Sequence, residues 1–123
     1  MPWAVDHDPK LAAVRLTLSG TVSIDELRKM TEEASAVARN TGSARILVDT
    51  SVLAATIPLT DIIDLARFYS ESGVDRRFRV AVIMPAIPEL HEDMRFYETV
   101  CRNRGFDVTA FSTRDEAMAW LEE

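Results

Sequence analysis

Along this chain the spacing of apolar residues changes period several times, and each change marks a boundary between elements. Trp3 to Asp6 and Leu11 to Ser19 read as extended; in the second, Val14, Leu16 and Leu18 alternate with Arg15, Thr17 and Ser19. A period of two is the pattern of a strand with one buried and one wet face. His7-Asp8-Pro9-Lys10 between them has the composition of a tight turn, so the two strands form a hairpin that Gly20 closes. Ser23 with Glu26 three residues on is a capping-box pattern. Ile24, Leu27, Met30 or Thr31, Ala34 and Val37 or Ala38 then share one helical stripe. The first helix therefore spans Ser23 to Thr41, stops at Gly42, and turns Arg28, Lys29, Glu32, Glu33 and Arg39 to solvent.

Arg45 to Asp49 follows as a short strand whose Ile46, Leu47 and Val48 are apolar without interruption, which places it in the centre of the sheet. Thr50 to Leu59 shows no period and leads, through Pro58 and a Thr60 cap, into a second helix carrying Ile62, Ile63, Ala66 and Tyr69 and ending at Gly73. Arg79 to Met84 is another continuous apolar strand. The third helix starts near Pro88, a favoured first-turn residue, with Glu89, Glu92 and Asp93 at its positive end and Arg102 and Arg104 at its negative end. Leu90, Met94, Tyr97 and Cys101 form its inner stripe, and Gly105 stops it. Phe106 to Phe111 alternates as an edge strand does, and Ser112 or Thr113 caps a last helix through Leu121 that packs Ala117, Trp120 and Leu121 inward. The order ββαβαβαβα predicts an α/β fold with an open, mixed, mostly parallel five-stranded sheet and right-handed crossovers.

Composition narrows the class. With 123 residues, 47% hydrophobic and 28% charged, the chain is expected to fold as one domain over residues 1–123, burying about two-thirds of its unfolded surface without a disulfide or structural metal. The formal net charge of −6 disfavours a nucleic-acid backbone or an anionic membrane as partner. Cys101 is the single cysteine, and no basic stretch and long apolar segment open the sequence, so a reducing, cytoplasmic setting is expected without membrane insertion. Arginine supplies 12 of the 14 basic residues, a bias compatible with a GC-rich bacterial genome.

Three stretches carry a likeness to a known family: Leu18 to Ser23 (L-S-G-T-V-S) entering the first helix, Ile46 to Ser51 (I-L-V-D-T-S) closing the central strand, and Val108 to Leu121 (V-T-A-F-S-T-R-D-E-A-M-A-W-L). With the order of elements, they make the chain similar to the STAS, or SpoIIAA-like, domains of bacterial anti-sigma factor antagonists, and the tail is like that of a mostly uncharacterised branch. The resemblance implies a non-catalytic regulatory module that binds other proteins. Regulatory STAS domains are switched by phosphorylation in an Asp-Ser-Ser-Gly-Leu type motif; here that region reads Ala54-Ala55-Thr56-Ile57-Pro58-Leu59-Thr60 and departs from it. Thr56 is the hydroxyl left to receive a phosphoryl group, since Thr60 is accounted for as a cap.

Ligands of open parallel sheets sit beyond the carboxyl ends of the strands. Those ends carry Asp49, Thr50 and Ser51, then Met84 and Pro85, then Ser112 and Thr113, and the candidate ligand-binding residues are Asp49, Thr50, Ser51, Thr56 and Met84. The same residue types also serve as turns and caps, and that structural account is preferred. His91-Glu92 would open a zinc-protease helix if position 95 were His; it is Arg95, and with two His and one Cys no metal site or cofactor is expected. Asp6-His7-Asp8 reads as turn punctuation, His91 as solvent-facing, and Cys101 as a buried thiol rather than a nucleophile. Arg67, Arg76, Arg77 and Arg79 form one basic cluster, with Glu71 and Asp75 beside it.

Three functions are weighed. The first is a non-catalytic module that binds a partner protein or itself, because sequential strands would place every helix on one side and leave an apolar sheet face to cover. The alternative is a carrier or sensor of a small apolar ligand in the manner of Sec14-type domains, with Ser51 to Leu59 and Met84 to Pro88 lining its pocket. A small enzyme centred on Asp49 and Ser51 ranks last.

Overall fold

A computed structural model describes residues 2–123. The elements run β1 (Trp3–Asp8), β2 (Ala13–Gly20), α1 (Ile24–Thr41), β3 (Arg45–Leu53), α2 (Leu59–Glu71), β4 (Arg79–Ile83), a 3-10 turn at Pro88–Leu90, α3 (His91–Asn103), β5 (Asp107–Phe111) and α4 (Arg114–Glu122). Strand order in the sheet is β1-β2-β3-β4-β5, with β1 antiparallel to β2 and the other neighbours parallel. The chain is thus α/β with a mostly parallel five-stranded sheet and an edge position for β5, as the hydrophobic periods predict.

Local signals place the element ends where side chains supply them. The Ser23 hydroxyl accepts from the Glu26 amide at 3.2 Å and the Glu26 carboxylate accepts from the Ser23 amide at 3.0 Å, completing the capping box. Gly42 ends α1 at φ 71°, a left-handed conformation that suits glycine. Several boundaries differ from expectation. The hairpin turn lies later, because His7 and Asp8 continue β1 and the Asp8 carboxylate folds the turn by accepting from the Lys10 and Leu11 amides. β3 runs on to Leu53 because its second half pairs with Ser19 and Gly20 across a register shift, a tertiary partner invisible to local periodicity. Thr60 is not a cap either: Pro58 holds that position, and Thr60 is an exposed residue in the first turn.

Two cores follow from strand alternation. On one face Val14, Leu16, Ile46, Val48, Val82 and Val108 meet the buried stripes of α1, α2 and α3. On the other, Leu47, Ala81 and Ile83 receive Ala117 and Leu121 of α4. The expectation that all helices share one side is therefore corrected. Right-handed crossovers constrain only helices that return to the sheet, and α4 follows the last strand, so it was free to cross to the open face. What α4 leaves uncovered, beside β1 and β2, is polar: Arg15 pairs with Asp6 at 2.9 Å, with Thr17 and Ser19 further along the strand. The apolar face that motivated self-association does not exist there.

The free edge of β5 is also satisfied. The Glu98 carboxylate accepts from the Ala110 amide at 2.6 Å, and Arg102 donates to the Val108 carbonyl at 2.7 Å and to the Thr109 hydroxyl at 2.7 Å. An open edge strand is a template for another chain. The double variant Glu98→Ala/Arg102→Ala is expected to keep its circular dichroism spectrum yet form concentration-dependent aggregates within hours under conditions where the parent stays clear, measured by light scattering.

Candidate functional site

The carboxyl ends of β3 and β4 and the loops after them form the end of the molecule to which the candidate residues were assigned. Alternation along β3 divides those residues between the two sheet faces. Asp49 and Ser51 point to the α4 side: the Asp49 carboxylate accepts from the Ser51 amide at 2.9 Å and from the Ser51 hydroxyl at 2.6 Å, while its second oxygen meets Arg114 of α4 at 3.4 Å. Thr50 points the other way, is fully buried, and donates its hydroxyl to the Ile83 carbonyl at 2.5 Å. Met84 is buried in the core under α1 to α3. Thr56 is exposed on the loop leading to α2.

Hence only Asp49 and Ser51 are brought together, and Thr50, Thr56 and Met84 do not join them in one site. The serine hydroxyl donates a hydrogen bond to the Asp49 carboxylate, and that carboxylate is also held by an amide and a guanidinium. This arrangement closes the end of β3 against α4. The loop after β3 is pinned in turn by the Ile57 amide, which donates to Asp93 of α3 at 3.3 Å, and by the Ala86 amide, which donates to the Ser51 carbonyl at 3.1 Å.

The other singled-out residues take structural places. His7 lies in β1, with Nε2 2.9 Å from the Ser43 hydroxyl beyond the end of α1. His91 is half-buried rather than solvent-facing, its Nε2 2.7 Å from the Pro85 carbonyl, so it ties the start of α3 to the end of β4. The four arginines do not converge. Arg67 pairs with Asp64, and Arg77 with Asp75. Arg76 stacks on Phe106 at 4.5 Å, and Arg79 on Trp120 at 4.0 Å. Among the described residues, no group of three or more His, Cys, Asp and Glu is arranged to hold a metal ion, and no helix is long and apolar enough to cross a membrane.

Sequence reasoning missed a polar cluster inside the core. Tyr69 of α2 and Tyr97 of α3 bring their hydroxyls to 2.9 Å, with Cys101 one turn beyond Tyr97. By sequence both tyrosines are packing residues on helix stripes. The signal for more was their occurrence on the inner stripes of successive helices, because a buried phenol requires a partner. Burial raises both phenols above their ordinary range and pushes the Cys101 thiol up to about 12, with Tyr97 and Arg104 pulling weakly the other way.

No protein-family model matches the chain, and no curated protein matches its sequence.

Two outcomes follow from this geometry. Asp49→Ala is expected to lower stability by about 1–3 kcal/mol, since charged hydrogen bonds to Ser51 are lost, whereas Arg114→Ala should cost under ~1 kcal/mol, because the guanidinium is half-exposed and makes one long contact at 3.4 Å; urea denaturation of both variants checks the contrast. The raised thiol and phenols stay protonated in the folded chain after the unfolded chain has ionised. Stability should therefore be flat with respect to these groups below about pH 9 and fall as pH rises toward 12, as read from denaturant midpoints.

Proposed function

We propose that this chain is a non-catalytic STAS/SpoIIAA-like binding module, cytoplasmic, that docks a partner protein on the carboxyl rim of β3 and β4. One observation carries the reading: Val52, Leu59 and Ile87 stand 57%, 52% and 38% exposed, and all three lie on that rim. Most of the remaining large apolar side chains are inside or packed against a core. Single exposed hydrophobics are ordinary, but Val52 near the end of β3, Leu59 at the start of α2 and Ile87 in the connection after β4 all follow the carboxyl ends of two adjacent strands, where an interaction surface would form. Asp49, Ser51 and Thr50 support the rim from beneath, held by their own hydrogen bonds, so the loops are presented on a rigid base. A different protein is favoured over a second copy because α4 and the Arg15–Asp6 pair close the sheet face that a dimer was expected to use. Thr56, the exposed hydroxyl between Val52 and Leu59 in sequence, is where a phosphoryl group would switch the surface from apolar to charged.

A second reading, a carrier or sensor of a small apolar ligand, is favoured by a separate observation: an apolar cavity lies between the sheet and helices α1 to α3. It differs in position from the pocket expected at the two loops, of which only Ile57 reaches it.

The docking reading is tested with a photo-crosslinking phenylalanine derivative placed at Ile87 and, as a control, at exposed Glu33 on α1, in cells that make the protein. A single discrete adduct from position 87, absent from position 33 and reduced at least severalfold by Leu59→Ser, is the expected result. Equal labelling from both positions would overturn it.

A further inference from the structure

Strands β2 to β5 run parallel and each is followed by a helix, so all four helices begin at the end of the molecule where the strands finish. Acidic side chains concentrate there. The first turn of α1 carries Asp25 and Glu26, that of α2 Asp61, the 3-10 turn and α3 Glu89, Glu92 and Asp93, and that of α4 Asp115 and Glu116. A helix N-terminus carries about half a positive charge, which favours such residues. Four helix ends therefore offset only about two of the carboxylates. Of Lys and Arg, Arg114 alone lies in the same turns among the described residues, and Asp49 already holds it. The carboxyl rim keeps a surplus of negative charge.

The same rim exposes apolar side chains in the connections after β3 and β4. Leu59 opens α2 directly after exposed Pro58, and Ile87 directly precedes exposed Pro88. Two hydrogen bonds tie these stretches together: the Ala86 amide donates to the Ser51 carbonyl at 3.1 Å, and the Ile57 amide donates to Asp93 at 3.3 Å. Ile87 follows the first bond by one residue, and Leu59 follows the second by two. Several acids of the rim have local tasks, since Glu26 caps α1, Asp93 holds Ile57 and Glu116 accepts from the Thr113 hydroxyl. Asp61, two residues after Leu59, and Glu89 and Glu92, just after Ile87, are different. Among the described residues, none of the three makes an ion pair or a side-chain hydrogen bond.

We propose that the partner of this rim presents a basic amphipathic segment, whose apolar side chains cover Leu59 and Ile87 and whose Lys or Arg residues reach Asp61, Glu89 and Glu92. The assignment rests on the docking reading above and adds to it the chemistry of the partner. Complementary potentials across an interface steer encounter and suppress wrong partners. An acidic protein, a nucleic acid or an anionic membrane has the sign of the rim itself and is repelled. A second copy docked rim to rim would set carboxylate against carboxylate. Docked rim to opposite end, it would meet arginines already in use: Arg76 bonds the Arg104 carbonyl and stacks on Phe106, Arg77 is held by Asp75, and Arg102 is bonded to β5.

The test uses the intact chain with two labelled amphipathic helical peptides of one pattern, the first built from Leu and Lys and the second from Leu and Glu, read by fluorescence anisotropy. The Leu/Lys peptide is expected to bind and the Leu/Glu peptide not to. Asp61→Asn/Glu89→Gln/Glu92→Gln should weaken binding about tenfold, the combined effect of three exposed charge pairs. Removing three exposed charges elsewhere, in Glu33→Gln/Glu71→Gln/Glu122→Gln, should change it less than twofold. Leu59→Ser should weaken it severalfold, with circular dichroism confirming that every variant is folded. In cells, the adduct formed from a crosslinker at position 87 should fall at least severalfold in the rim-neutralised chain and persist in the control chain. If no adduct forms in the parent, the docking reading fails and this assignment with it. If an adduct forms but survives neutralisation of the rim, or if the peptide responds equally to both triple variants, the docking reading stands and the basic partner is overturned. An adduct at twice the mass of the chain assigns the rim to a second copy and overturns it as well.

Discussion

The central strand β3 must be dry on both faces, and most of the architecture follows from that requirement. Ile46 and Val48 point to one side and Leu47 to the other, and a parallel strand with neighbours on each edge has no wet face to spare. Three crossover helices cover the first side because successive right-handed connections advance across the sheet in one direction. Only an element outside the crossovers can cover the second side, and α4 is that element. Ala117 and Leu121 close over Leu47, Ala81 and Ile83, while Arg79 lies flat on Trp120 and reaches the last carbonyl of the chain.

Covering β3 in this way uses up the polar residues at its end. Asp49 emerges on the α4 side and is caught between Ser51 and Arg114, whereas Thr50 emerges on the other side and bonds back to β4. A sheet end that resembles a ligand site in one dimension becomes, in three, two separate clasps on opposite faces. The consequence is a stiff base beneath the end of β3 and the connections that follow β3 and β4.

The other side of the sheet is less tightly closed. Three helices over five twisted strands meet around Tyr69 and Tyr97, whose rings cross edge to face at 6.4 Å and whose hydroxyls satisfy each other away from water. The same meeting leaves the apolar space between the sheet and the helices. The proposed docking rim and that space are therefore both governed by β3, one at its end and one along its face, with Ile57 joining the loop of the first to the wall of the second.

Period and punctuation alone determined the element order, the α1 capping box, the glycine stops, the parallel sheet and the inward position of Cys101, because each is set by residues within one turn or one strand of each other. Boundaries that depend on a pairing partner were not legible: β3 is lengthened by pairing with Ser19 and Gly20, and β1 by His7 and Asp8 pairing with Val14 and Ala13. Nor was the parting of Asp49 from Thr50, although alternation already puts neighbours on opposite faces; it needed the knowledge that both faces are covered. The side taken by α4, the satisfied edge of β5, the tyrosine pair and the cavity were decided by the tertiary structure, since each arises where elements far apart in sequence meet, and no local pattern encodes how three helices divide the space above a sheet.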